Sequence, residues 1–141
     1  MKKLVALSIA LFLFASCSLD SDGSNDDSLN FSFEILPIDS VDIPDKFSLG
    51  QTYPIKVSYF QPSTCHSFKE FYHLIENNER TIAVIDYVFD NGNCQTLTDE
   101  LVDATIDFTA TSNGSYIFKF WQGQTSDGED EYLIIEVPVI E

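Results

Sequence analysis

Residues 102–110 have the sequence VDATIDFTA, and their alternation predicts the fold class of the chain. Apolar side chains occupy every second position, at Val102, Ala104, Ile106, Phe108 and Ala110. Aspartate or threonine stands at each position between them. Successive side chains of a β-strand point to opposite faces, so this pattern indicates a strand with one buried and one solvated face.

Similar alternation recurs from residue 31 onward. It occupies residues 31–35, 53–59, 116–120 and 133–139, with turn-forming pairs such as Asn-Gly and Asp-Gly between runs. The pattern predicts an all-β domain over residues 31–141. About seven short strands in a chain of this length favour an antiparallel immunoglobulin-like β-sandwich. A small barrel or jelly roll is the alternative.

Residues 67–76 leave two conformations open. A capping box followed by apolar residues at helical spacing favours a helix. The pair Asn77-Asn78 instead suits the positive-φ positions of a two-residue hairpin turn. We favour the hairpin, because folding the chain about that turn brings Cys65 close to Cys94.

The N-terminus has the features of an export signal. Two lysines follow Met1, and residues 4–15 are apolar apart from one serine. Such a run is too short to cross a bilayer, which takes roughly 20 residues, but it is typical of a signal peptide. We therefore predict that residues 1–16 form a cleaved signal peptide and that the protein is exported.

The end of this run resembles the lipobox of bacterial lipoproteins. Residues 13–17, LFASC, place small residues directly before the cysteine, although Phe14 stands where a smaller aliphatic residue is commoner. The resemblance implies that the chain is cut before Cys17 and that Cys17 is lipidated. The lipid would then hold the protein on a bilayer.

Residues 17–30 are predicted to be a disordered acidic tether, because serine and aspartate dominate and aromatic residues are absent. Asp20 and Asp22 resemble the acidic export signal of Bacteroidota surface lipoproteins. That resemblance implies attachment to the outer membrane, with the domain facing the cell surface.

Three cysteines become an even pair once Cys17 is lipidated. An exported compartment is oxidising, so Cys65 and Cys94 are predicted to form a disulfide. The stretches GSYIFKFW at residues 114–121 and DGED at residues 127–130, together with this pair, resemble small Bacteroidota lipoproteins with an immunoglobulin-like domain. The resemblance implies a location and a fold without an assigned activity.

The charge of the chain excludes some partners. Without the signal peptide, five basic residues stand against 23 acidic ones, which gives a net charge of −18. Such a field repels phosphate backbones, so nucleic acid is not an expected partner. It also repels anionic head groups, so membrane attachment depends on the lipid at Cys17.

Catalytic motifs are absent from the sequence. His66 and His73 fall on opposite faces of an extended strand, and no spacing typical of a metal site or a nucleophile elbow occurs. We therefore expect a protein that is not an enzyme and holds no cofactor. A hydrolase or metal-dependent enzyme is the remote alternative.

An acidic run at residues 127–131 is predicted to be a solvated hairpin tip, because Asp-Gly suits a tight turn. Oxygen-rich loops also bind calcium. The alternative is therefore a calcium site with four candidate ligands, Asp127, Glu129, Asp130 and Glu131.

The last hairpin predicts a candidate binding surface. With Asp127-Gly128 as a two-residue turn, Lys119 faces Glu136; a register shifted by two positions leaves every side chain on the same face. Either register places four apolar residues outward, which are Ile117, Trp121, Tyr132 and Ile134. Exposed aromatic stripes bind proteins or sugars. Cover by a neighbouring loop or by residues 68–75 is the more ordinary expectation.

Together these features predict a surface-exposed outer-membrane lipoprotein with a binding domain, whose partner is an envelope protein or a glycan. A structural envelope component or a protective inhibitor is the alternative.

Overall fold

The structure, a computed structural model, describes residues 30–141. The predicted signal peptide, the lipidation site at Cys17 and the tether up to residue 29 lie outside the described residues. None of the described residues belongs to a helix long and apolar enough to cross a bilayer.

The described chain is all-β, as the alternation predicts. Its strands number nine and run in chain order as β1 (Phe31–Leu36), β2 (Ile38–Asp42), β3 (Phe47–Ser48), β4 (Thr52–Phe60), β5 (His66–Glu76), β6 (Glu79–Phe89), β7 (Leu101–Thr109), β8 (Gly114–Gln124) and β9 (Asp130–Ile140).

These strands form two sheets. A three-stranded sheet has the order β2-β4-β7, and the remaining strands form a six-stranded sheet. In the larger sheet β6 pairs with β5 along one edge. Along its other edge, residues 79–82 of β6 pair with β8 and residues 84–89 pair with β1. Two pairings, β3 with β9 and β6 with β8, are parallel.

The prediction of an antiparallel arrangement of about seven strands is therefore confirmed only in part, because the strands number nine and two of the seven pairings between them are parallel. The N-terminal part breaks into three short strands at Pro37 and Pro44, since proline cannot donate to a ladder. The parallel pairing of β6 with β8 arises because β6, the second strand of the β5–β6 hairpin, lies beside β8. β5, which runs in the opposite direction, lies on the far side of β6.

One hydrophobic core fills the space between the sheets. The alternation at residues 102–110 is confirmed, since Ala104, Phe108 and Ala110 are buried, Val102 and Ile106 are half-buried against the core, and the polar residues between them are exposed. Phe47 lies within the core with its ring centroid 5.1 Å from that of Phe108 and 6.0 Å from that of Phe118. Tilted and edge-on contacts of this kind add to the burial of aromatic area.

The hairpin prediction for residues 67–76 is confirmed, and the helix alternative is wrong. β5 and β6 fold about Asn77-Asn78, with φ of 55° at Asn77. A bulge between Phe68 and Glu70 then shifts the pairing by one residue. Cys65 consequently faces Phe89, whose backbone N–H donates to the Cys65 carbonyl at 3.0 Å.

The predicted disulfide between Cys65 and Cys94 is confirmed, with Cα atoms 5.3 Å apart. Backbone bonding reinforces it, since Thr64 N–H donates to the Gln95 carbonyl at 3.0 Å. Closing a loop of this length stabilises the fold by roughly 3–4 kcal/mol in the chain-entropy model.

The hydroxyl of Tyr116 caps the turn between β7 and β8. Its oxygen accepts the backbone N–H groups of Thr111 at 3.0 Å and of Ser112 at 3.1 Å. Burial raises the pKa of Tyr116, but the hydrogen bonds from Ser112 and Thr111 outweigh it and lower that pKa to about 8. A buried side chain thus supplies the acceptor that this turn lacks in its own backbone.

Asp86 is a carboxylic acid buried in the core. The Tyr59 hydroxyl donates to its Oδ1 at 3.0 Å, whereas Oδ2 has no hydrogen-bond partner among the described residues. Burial raises the pKa of Asp86, and neighbouring Glu34 adds to the rise. The ionised form is therefore held at a cost to stability.

We predict that Asp86→Asn stabilises the protein by about 1 kcal/mol at pH 7, because it removes the buried charge and keeps the acceptor for Tyr59, although the new amide NH₂ group lies where Oδ2 has no partner. A carboxyl whose folded pKa is raised takes up its proton more readily in the native state. The free-energy cost of burying the ionised Asp86 in the natural protein is therefore lost as the pH falls through the pKa of Asp86 in the folded state. Urea unfolding at pH 7 and near pH 4 measures the difference, which should shrink at the lower pH.

Asp103→Asn is the matched control. The hydrogen bond from the Ser58 hydroxyl and then the charge of Lys56 lower the pKa of Asp103. The ionised carboxylate therefore stabilises the fold when the pH is above the ordinary pKa of an aspartate, and this stabilisation is lost as the pH falls through the lowered pKa. This variant should be less stable than the natural protein at neutral pH. Equal effects of the two variants would contradict our account of Asp86.

Candidate binding groove

An open groove of about 750 Å³ lies on the outward face of the six-stranded sheet. Tyr72 and Leu74 of β5 form one wall, and Trp121 and Tyr132 of the β8–β9 hairpin form the other. We call this depression the groove. Its floor consists of the outward side chains between the walls, which are Thr81, Ala83 and Lys119.

Strand alternation places these side chains together. Tyr72 pairs with Ala83 across β5 and β6, and Trp121 pairs with Tyr132 across β8 and β9. Directly paired residues of neighbouring strands point to the same face of a sheet. The four-residue pairing of β6 with β8 brings the two hairpins edge to edge, and this is what creates the groove.

The register of the last hairpin is the shifted one, and the pairing of Lys119 with Glu136 is wrong. Lys119 pairs with Ile134 instead. The turn has three residues rather than two, since Thr125 N–H donates to the Glu129 carbonyl at 2.8 Å and Gly128 takes φ of 81°. A glycine with positive φ at the last position is typical of three-residue hairpin turns.

The structure brings together three of the four predicted patch residues. Trp121, Tyr132 and Ile134 line the groove, and Ile134 remains 61% exposed. Ile117 lies on the same face of β8 but outside the groove, beside Glu79 of β6 and Glu136 of β9.

The expectation that residues 68–75 cover the stripe is wrong. This segment belongs to β5, which lies within the sheet, paired edge to edge with β6. Its side chains Tyr72 and Leu74 form the opposite wall and are themselves 44% and 40% exposed. The segment thus widens the apolar surface instead of covering it.

Asp130 fixes the orientation of Trp121. Its Oδ1 accepts the indole N–H of Trp121 at 3.0 Å and the side-chain N–H of Gln124 at 3.0 Å. These two hydrogen bonds lower the pKa of Asp130, so it stays ionised at neutral pH. The indole is held by its edge, and the half-buried side chain lines the groove.

Lys119 on the floor is paired with Glu79 of β6. The hydrogen bond to Glu79 raises the pKa of Lys119, and the charges of Glu79 and Glu76 contribute. The groove is therefore lined by one ammonium group and by the carboxylates of Glu76 and Asp130, and Glu79 lies beside its floor. Its net charge is negative.

The candidate calcium ligands lie at the β8–β9 tip. Asp130 is committed to Trp121 and Gln124, while Asp127, Glu129 and Glu131 are exposed. Within residues 30–141 no group of three or more histidine, cysteine or carboxylate side chains is arranged to hold a metal ion. Calcium binding stays the alternative to a solvated hairpin tip.

A serine, a histidine and a carboxylate form a chain of hydrogen bonds elsewhere in the fold. Ser63 Oγ lies 2.8 Å from His66 Nδ1, and His66 Nε2 lies 2.7 Å from Glu34 Oε2. Ser63 Oγ also accepts the Cys65 N–H at 3.2 Å, so this serine stabilises the turn before β5. None of these three side chains lines the groove.

Sequence reasoning missed the β5 and β6 part of the groove. Tyr72 and Leu74 are two positions apart, so a strand places them on one face, but their apolar neighbours Phe71 and Ile75 obscure the alternation. The contact between β6 and β8 had no such local signal, because these strands are far apart in sequence.

Comparison of the chain with models of protein families, with curated proteins and with solved structures finds no match.

The groove makes a measurable prediction through Trp121, which is the single tryptophan of the chain. Because the groove is open and negative, caesium should quench Trp121 emission more effectively than iodide, by at least about twofold. Each quenching constant is normalised to that of N-acetyltryptophanamide, which corrects for the different efficiencies of the two ions. A normalised ratio of one would contradict a negative groove.

Proposed function

We propose that this protein is a lipid-anchored outer-membrane lipoprotein that binds a partner through the groove and does not catalyse a reaction. The lipobox resemblance at residues 13–17 supports the anchor at Cys17, and the acidic tether supports display at the cell surface. The open groove with its oriented tryptophan is the observation that carries the binding function. Its expected partner is an envelope protein or a glycan.

We further propose an immunoglobulin-like β-sandwich as the fold type, resembling small Bacteroidota surface lipoproteins. Two sheets with one shared core support it. A second support is Tyr116, which lies near the start of β8 and bonds back to the preceding turn, as the tyrosine corner of such domains does. The parallel pairing of β6 with β8 departs from the usual antiparallel sheet.

Binding is favoured over catalysis by the state of the polar groups. In the groove, Asp130 is engaged with Trp121, and Lys119 is engaged with Glu79. A general acid or base must reach its substrate with a free proton site. The groove instead offers aromatic and aliphatic surface, which is typical of recognition.

A structural envelope component is the second candidate, and a separate aromatic cluster favours it. Phe31 and Phe33 are about half-exposed, and their rings lie 5.3 Å and 5.5 Å from Tyr87. This surface is close to residue 30, where the described chain begins. It gives the domain a second place of contact beside the groove.

The anchor is tested by Cys17→Ser. We expect loss of fatty-acid incorporation and accumulation of an uncleaved or soluble protein, because the thiol is the acceptor of the lipid. Metabolic labelling with a fatty-acid analogue measures this, with the natural chain as the positive control. Undiminished labelling of the variant would overturn the assignment.

The groove is tested by Trp121→Ala in a pull-down from envelope extract. We expect loss of the captured partner with an unchanged circular dichroism spectrum, because Trp121 lies at the surface of its sheet. Phe60→Ala is the matched control, since Phe60 is an exposed aromatic residue on the three-stranded sheet. Capture that survives Trp121→Ala but fails with Phe33→Ser would favour the structural alternative.

A further inference from the structure

The groove combines negative charge with apolar walls. The carboxylates of Glu76 and Asp130 line it, and the ammonium group of Lys119 on its floor is neutralised by Glu79 alongside. The whole chain adds to this field, with 23 acidic residues against seven basic ones. A protein with such a field attracts cationic ligands and raises their rate of association.

The aromatic residues in the walls suit the same kind of ligand. A cation over the face of an aromatic ring is attracted by the quadrupole of the ring, and tryptophan is the strongest partner. Trp121 is held at its indole edge by Asp130, and both Tyr72 and Tyr132 are partly exposed. An ammonium or guanidinium group in the groove would meet aromatic faces and carboxylates together.

The aliphatic residues add a second requirement. Ile35, Leu74 and Ile134 are 53%, 40% and 61% exposed around the groove. Covering these side chains releases apolar surface from water, which favours a ligand with apolar groups of its own. A purely polar cation would leave that surface wet.

A saccharide fits this lining less well. Sugar hydroxyls lose hydrogen bonds to water when they bind, so the site must replace those bonds. In the groove the polar side chains are largely engaged with each other, Lys119 with Glu79 and Asp130 with Trp121 and Gln124. Glu76, Thr81 and the Tyr72 hydroxyl remain for a sugar, and most of the rest of the lining is apolar.

We propose that the groove binds a segment of a partner protein in which lysine or arginine residues alternate with apolar residues. This inference rests on the proposed function of the groove as the binding site and specifies its partner. The basic side chains contact the aromatic rings and Glu76, and the apolar side chains cover Leu74 and Ile134.

The test uses the full chain in detergent and a synthetic peptide of about ten alternating lysine and leucine residues. Trp121 emission reports occupation of the groove, because the chain has one tryptophan. We expect a saturable change with this peptide and none with a counterpart in which glutamate replaces lysine. Oligomers of N-acetylglucosamine and of glucose are the saccharide probes.

Two glutamate variants separate groove binding from general attraction to an acidic protein. Glu76→Gln should weaken binding of the lysine peptide up to about fivefold, as expected for loss of one exposed ion pair. Glu129→Gln removes the same charge at the hairpin tip, outside the groove, and should leave binding unchanged. A labelled peptide followed by anisotropy extends the comparison to Trp121→Ala, which should abolish binding.

The outcomes distinguish this inference from the proposed function. A change in Trp121 emission with a saccharide and none with the lysine peptide overturns the inference and leaves the groove as the binding site. Equal weakening by Glu76→Gln and Glu129→Gln overturns it as well, since the attraction is then unspecific. If no probe alters Trp121 emission, the inference fails, and the envelope pull-down decides separately whether the groove binds any partner.

Discussion

The groove depends on one short parallel contact between β6 and β8. Residues 79–82 pair with residues 117–120, and these four residue pairs join two hairpins into one sheet. The Lys119–Glu79 ion pair lies across the same contact. Without the contact between β6 and β8, the wall formed by Tyr72 and Leu74 would not lie opposite the wall formed by Trp121 and Tyr132. The site is therefore a product of tertiary pairing, although each wall is built by a local hairpin.

The inner face of the same strands keeps that contact in place. Ile82 of β6 and Phe118 and Phe120 of β8 are fully buried, directly behind the floor of the groove. Because successive side chains of a strand alternate in direction, each core residue fixes the position of its outward neighbours. Thr81 and Lys119 on the floor are in this way positioned by the core. A ligand would meet a surface that is already organised, which lowers the entropic cost of binding.

Local signals in the sequence predicted the local parts of this structure. Three local features were predicted correctly, namely the Asn77-Asn78 turn, the faces of β7 and the Cys65–Cys94 disulfide. The disulfide follows from the turn, because the hairpin brings the two cysteines close together. The preferred register of the last hairpin was wrong and the alternative shifted by two positions was right, because the three-residue turn ending at Gly128 and the bulge between Trp121 and Gly123 each shift the pairing by one. The predicted faces were nevertheless right, since a shift by two positions does not exchange inward and outward side chains. The contact of β6 with β8 could not be predicted, because parallel pairing between distant strands has no turn to indicate it.

An exposed apolar face on a sheet is ordinarily an aggregation hazard, and the charge of this chain addresses it. β5 is a long edge strand with exposed Tyr72, Leu74 and Ile75, and such edges pair readily with other chains. A second copy of this protein brings the same negative field, however, so copies repel one another. A basic partner is attracted by that field instead. The carboxylates around the groove therefore serve two ends, since they disfavour self-association and select the charge of the ligand.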